Sequence, residues 1–338
     1  MAGQVYALDN KEVITLGGIG QHIRIRSSNA QNPVLLFLHG GPGVCDRHWV
    51  IKEQSGLAEV CTMVCWDQRG SGKSYSQAQS KEKMTIDLIV SDAVELIEYL
   101  CTKFGKEKLY IIGHSWGSVL GVMLSQRIPE RIAAFVGMGQ VVDLDENEQI
   151  SYKFVWDEAQ RRGDKKAIRD LTRIGTPVEG SYGSIKNLIT QRNYMSKYGG
   201  GAYKKKDNIW KSFLLPLFRT PEYTLADIIK YAKGSFYCLE ELWPEAAATV
   251  RFDETARKLD VPVYITQGDH DENTPTSIAL KWFEKLDAPY KEWIAFKKSG
   301  HAPIKEEPEL WGKTIREKLF VTKVTKGDSD KRGRYVWT

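Results

Sequence analysis

Gly113-His114-Ser115-Trp116-Gly117 holds one hydroxyl inside a pentapeptide framed by glycines. It follows Lys108-Leu109-Tyr110-Ile111-Ile112, a short apolar run that reads as a buried strand. It precedes Ser118 to Ser125, whose apolar content and small residues read as a buried helix. A serine on so sharp a strand-to-helix turn sits in strained backbone, and small neighbours let the adjoining chains approach. Its oxygen then stands at a helix N-terminus, where backbone N–H groups stabilise developing negative charge. The chemistry is nucleophilic attack, which needs a base to take the hydroxyl proton and an acid to orient that base.

Of the six histidines, only His301 combines a late position, a strand end and a preceding glycine. His270 adjoins the acid loop and reads as structural, whereas His39 and His114 lie in motif loops as wall or bracing residues. Asp269, Asp271 and Glu272 are the nearby candidate acids, with Asp143 a fourth. Asp271 is favoured because Gly268 and Pro275 frame it. Ser115, Asp271 and His301 thus follow one another in the order nucleophile, acid, base, each after an apolar strand. A second glycine-rich loop, His39-Gly40-Gly41-Pro42-Gly43, leaves the apolar run Pro33 to Leu38. There a bare backbone approaches a ligand closely, so the N–H of Gly41 is expected to form an oxyanion hole with that of Trp116.

Other chemistries are less well supported. Gly72-Lys73-Ser74 matches the end of a phosphate-binding loop, but Asp67 occupies the position of its first glycine, and a carboxylate there repels phosphates. The net charge of +5 is mild, and Lys204-Lys205-Lys206 is too short to suggest a nucleic-acid partner. No apolar segment reaches the length of a membrane span, so no membrane partner is expected. Five cysteines form no C-x-x-C pair or zinc-like cluster; with an odd count and no signal peptide, a reducing, cytoplasmic setting is expected. No metal or organic cofactor is expected, and the substrate is a small molecule or short peptide.

These residues require a sheet to position them. Glu12 to Gly17 and His22 to Ser27 read as two short N-terminal strands. Further strands are expected at 33–38, 59–66, 108–112, 132–138, 261–266 and 290–296, and an amphipathic helix over 85–105 capped by Gly105. Strand and helix alternate, the signature of a parallel sheet with right-handed crossovers. From 143 to 249 the sequence offers no sheet strand. It offers polar, aromatic helical segments instead, at 146–162, 165–172, 185–198 and 224–231. The expected division is a core of 1–142 and 250–338, with 143–249 as a helical cap. The cap is rich in aromatics, including Trp156, Tyr182, Trp210, Phe213, Phe218, Phe236 and Trp243, most of them expected in its own core. Helices are expected over 275–285 and 307–319, and the tail after Val321 reads as irregular.

Together the loops at 39–43, 67–72, 113–117 and 268–275 and the pair Gly300-His301 resemble the proline iminopeptidase branch of the α/β-hydrolases. The resemblance runs from the N-terminal strands to the closing helix and is vague in the cap. It implies an eight-stranded, mostly parallel sheet with an inserted helical cap. It also implies Ser115 as nucleophile, His301 as base, Asp271 as its partner, and Gly41 and Trp116 as oxyanion donors. His39, Gly40 and Glu272 are the implied substrate neighbours, Glu272 matching a glutamate that follows the catalytic aspartate in some relatives. Such enzymes read a peptide's α-amino group with cap carboxylates. Here Gln191 and Arg192 stand where classical members carry one, with Glu240 and Glu241 in a second such region, and an Arg192 facing the pocket would repel an amine. An aminopeptidase is the first expectation, an esterase, lactonase or amidase the second, and a non-catalytic binding protein the third.

Overall fold

The computed structural model describes residues 6–78, 83–204 and 215–320. Lys205, Lys206, Trp210, Phe213 and the tail from Val321 lie outside the described residues. The sheet has eight strands: β1 Leu8–Leu16, β2 Ile19–Ser27, β3 Val34–Leu38, β4 Thr62–Asp67, β5 Leu109–His114, β6 Ile132–Met138, β7 Val263–Gly268 and β8 Lys291–Phe296. Their spatial order is β1-β2-β4-β3-β5-β6-β7-β8. The β1–β2 and β2–β4 pairs are antiparallel and the rest parallel. This is the mostly parallel sheet the alternating pattern predicts. β3 and β4 are buried along their whole length, as the continuous apolar runs require of strands covered on both faces.

Around the first half of the sheet lie α1 Arg47–Glu53, α2 Ile86–Phe104 and α3 Trp116–Arg127. α2 begins and ends where its sequence signals lie: the Thr85 hydroxyl accepts from Leu88 N–H, and Gly105 closes the helix in the left-handed region at φ 61°. Its apolar stripe, including Ile89, Ala93, Leu96 and Leu100, packs into the main core.

Between β6 and β7 come α4 Leu144–Arg161, α5 Lys165–Ile174, α6 Ile185–Tyr198, α7 Leu215–Leu217 and α8 Leu225–Thr249. The described residues of this stretch hold no sheet strand. α9 Phe252–Thr255, α10 Thr276–Lys285, α11 Pro303–Glu306 and α12 Pro308–Ile315 complete the α-helices of the described residues.

The structure corrects the bounds of four expected elements. β1 starts at Leu8, and β2 at Ile19, because the two pair over their full nine-residue lengths as a hairpin. The helix expected to stop at Tyr231 continues as α8 for 25 residues through Gly234 and Pro244. Tyr231, Cys238, Leu242 and Ala246 bury one face of it, and that packing outweighs the local cost of the glycine and the proline. The closing helix expected over 307–319 is α12 over Pro308–Ile315 followed by a π turn over Arg316–Phe320, with the short α11 just before it. Two of the aromatics expected in a cap core, Phe218 and Phe236, are exposed instead.

Candidate active site

Ser115 joins β5 to α3 with φ 54° and ψ −117°, one of the few non-glycine residues with positive φ. Its strain is held by close packing. A Cβ on Gly113 would stand 2.2 Å from Gly117 O, and one on Gly117 would stand 2.0 Å from Leu38 O. The backbone N–H of Ser115 donates to Met138 O at 2.8 Å, tying the turn to the end of β6. Trp116 is the first residue of α3, so its N–H has no partner within the helix.

The acid loop closes tightly on Asp271. One carboxylate oxygen accepts from Asn273 N and Thr274 N, both at 2.9 Å. The other accepts from Thr274 Oγ1 at 2.7 Å, Gln267 Nε2 at 3.1 Å and His301 Nδ1 at 2.9 Å. Asp271 is buried and His301 only partly so. With Nδ1 facing the carboxylate, the ring carries its hydrogen there and leaves Nε2 as the free base. Asp143 is committed elsewhere, capping α4 through Asp145 N and Glu146 N and lying 3.5 Å from Arg251. Asp269 is exposed.

The structure brings the serine and the histidine to the same strand ends. A Cβ on Gly139 would stand 3.0 Å from the His301 ring, one residue beyond the carbonyl that holds Ser115. Among the described residues, the Ser115 hydroxyl and the His301 ring form no hydrogen bond. His114 braces the histidine loop: its Nε2 lies 3.3 Å from His301 O and its Nδ1 3.4 Å from Asp46. Burial pushes the His114 imidazolium down in pKa, against the pull of Asp46.

Beside Ser115 lies a cavity of about 430 Å³, counting its open mouth. Gly41 and Trp116 line it with Ser115, and Gly41 has a φ of 120°, in the range that favours glycine. Gly40 packs against Ser115, since a Cβ there would meet the Ser115 Cβ at 3.3 Å.

None of the three expected substrate neighbours, His39, Gly40 and Glu272, is among the residues that line the cavity. His39 is buried as a brace, with Nδ1 donating to Gly40 O at 2.9 Å and Nε2 accepting from Gln68 N at 3.2 Å. Gln68 in turn holds the Trp116 indole N–H at 3.1 Å. Glu272 is anchored by its main chain, N–H to Gly200 O at 2.8 Å and C=O from the Ser151 hydroxyl. Burial, reinforced by Asp271, pushes its carboxyl pKa up. His270 is exposed, its ring 4.6 Å from that of Tyr203.

The far wall comes from the helices between β6 and β7. Asn147 and Glu148 of α4, Arg192 of α6 and Trp243 of α8 all line the cavity. Arg192 Nη1 donates to Glu148 Oε2 at 2.8 Å, and Nη2 donates to Oε1. Asn147 Nδ2 adds a bond to Oε1 at 3.0 Å. Arg192 therefore does face the pocket, but clamped on a carboxylate. Sequence reasoning missed Asn147, Glu148 and Thr274. A hint for Thr274 was present, since Asp-x-x-Thr is a spacing at which side chain and backbone cap one another.

Comparison with known proteins agrees with this fold. Residues 33–308 match the family described as alpha/beta hydrolase fold. The chain is 32% identical over 305 residues to the probable aminopeptidase YbaC of Bacillus subtilis (strain 168), covering 89% of this chain and 93% of that one. It is 21% identical to a proline iminopeptidase of Lactobacillus delbrueckii subsp. bulgaricus, over 92% of this chain and 97% of that one. Among solved structures, a proline iminopeptidase of Mycobacterium smegmatis superposes with a TM-score of 0.59 at 17% identity, covering 92% and 97% of the two chains. With Ser115, Asp271 and His301 following β5, β7 and β8 of a mostly parallel sheet, and with this match across most of the sequence, the chain belongs to the alpha/beta hydrolase fold family.

Proposed function

We propose that this hydrolase is a serine hydrolase that works through an acyl-enzyme on Ser115. His301 Nε2 takes the proton of the Ser115 hydroxyl as its oxygen attacks the substrate carbonyl, and Asp271 steadies the ring. The N–H groups of Gly41 and Trp116 receive the carbonyl oxygen as it gains charge. His301 then passes the proton to the departing amine or alcohol, and water repeats the sequence to free the acid. The observation that carries this reading is the backbone of Ser115, a strained non-glycine turn at the end of β5 facing a cavity.

The names of the relatives extend the reading to an aminopeptidase of the proline iminopeptidase kind, which frees an N-terminal residue. A second reading, hydrolysis of a small-molecule ester or amide, draws on one specific feature: the carboxylate that lines the cavity already has a guanidinium on it. The helical stretch 143–249 serves as a cap over the core formed by 1–142 and 250–338. A reducing, cytoplasmic setting fits five cysteines that are all unpaired and buried.

Labelling by a fluorophosphonate tests the central claim. Ser115 is the expected site, Ser115→Ala is expected to lose both the label and at least about 10⁴ of the rate while keeping its melting temperature, and labelling elsewhere refutes it.

A further inference from the structure

We propose that the cavity beside Ser115 is built for an acyl group that carries a hydrogen-bond-accepting oxygen and no positive charge. The inference rests on the acyl-enzyme reading and decides between its two substrate classes. Among the described residues lining the cavity, Glu148 is the one carboxylate. It is fully buried and both its oxygens are taken, by the two-pronged Arg192 and by Asn147. A fork of this kind uses the carboxylate's best directions and cancels its charge. An entering ammonium finds no free countercharge on this wall, only a guanidinium. Burying a cation without a partner is strongly unfavourable.

The same wall holds one donor with nothing to donate to. Trp243, 8% exposed, lines the cavity, and its indole N–H has no acceptor among the described residues. The Arg192 guanidinium lies 5.6 Å from the Trp243 ring centre, so the orphan N–H belongs to the same corner as the ion pair. Behind this wall and outside the cavity lining, fully buried Gln191 gives its side-chain oxygen to Arg192 and leaves its Nε2 without a partner among the described residues, so Arg192 is held from both sides. A buried donor left unpaired destabilises the empty site, and a substrate oxygen that reaches it recovers that loss. Apolar wall from Val119, Val141, Leu144 and Ala246 surrounds these groups. The matching acyl groups are N-acylated aminoacyl, oxo-acyl and dicarboxylic half-acyl groups, whose shared feature is an oxygen beyond the scissile carbonyl.

The test compares the para-nitroanilides of alanine, N-acetylalanine and butanoic acid with the full chain at neutral pH, where the free α-amino group of alanine is largely charged. The expected result is a kcat/KM for the N-acetyl substrate about tenfold or more above both others, the size of one buried hydrogen bond gained and one charge avoided. Trp243→Phe, which keeps the ring and removes the N–H, is expected to shrink the N-acetyl advantage over butanoyl to about twofold. Arg192→Gln is expected to raise the alanine substrate relative to the N-acetyl one, because it frees Glu148. If that variant fails to fold, the wild-type panel and Trp243→Phe still decide. An alanine substrate as good as or better than the N-acetyl one overturns the inference, as does no turnover of any of the three, provided Ser115 still takes the fluorophosphonate. Loss of that label overturns the acyl-enzyme reading and the inference with it.

Discussion

At the scale of single residues, Asp271 has more hydrogen-bond donors around it than orienting a histidine requires. Thr274 Oγ1 lies 2.7 Å from Asp271 and 3.1 Å from His301 Nδ1, so it touches both members of the pair. Replacing Thr274 by Val removes that hydroxyl while leaving the two backbone bonds to Asp271. A fall in kcat of about tenfold with KM little changed is expected, and steady-state kinetics on any turned-over ester checks it. Asp271→Asn is expected to cost about 10⁴ in kcat, because the amide favours the wrong tautomer of His301. Comparable rates in that variant and the parent would shift the acid role to another carboxylate. The strand-end positions of Ser115, Asp271, His301 and Gly41 were legible in the sequence because each lies in a short motif that follows an apolar run. Glu148 was not, because its role depends on Arg192, 44 residues away on another helix.

At the scale of elements, α3 lies so close to the sheet that its glycines act as spacers. A Cβ on Gly121 would come within 2.1 Å of the Phe135 ring on β6. Gly121→Ala is therefore expected to lower stability by about 1–3 kcal/mol, read as a drop in melting temperature, with partial recovery in Gly121→Ala/Phe135→Leu. Thr85→Ala at the start of α2 removes a cap and is expected to cost about 1 kcal/mol. α2 could be placed from sequence alone because period, cap and stop signal agree on its ends. α8 could not, since Gly234 and Pro244 signal breaks that only its buried face overrides.

At the scale of the whole molecule, His48 ties acid stability to the core. It is buried on α1 between the rings of Trp49 and Tyr223, with neither ring nitrogen bonded among the described residues. Burial pushes its pKa down from 6.5 to about 3, against the pull of Asp46. Between those values the unfolded chain takes up a proton that the folded chain refuses, so stability falls as pH drops through that window. The loss reaches at most about 1.4 kcal/mol per pH unit. Denaturant melts between pH 7 and pH 5 are expected to show a shallower decline in His48→Phe than in the parent. The parallel sheet was readable from alternating strands and helices, whereas strand order and the wall opposite Ser115 are set by contacts between distant segments.

The helices between β6 and β7 leave and rejoin the sheet through a single gap. Phe252 N donates to Val142 O at 2.8 Å and Leu144 N to Val250 O at 3.2 Å, while β6 and β7 are themselves neighbours. Those two seams bring the ends of the intervening hundred or so residues side by side at one doorway in the sheet. Swapping that stretch for another helical one is expected to leave the β6–β7 register untouched, a circular-dichroism melt of the chimera being the check.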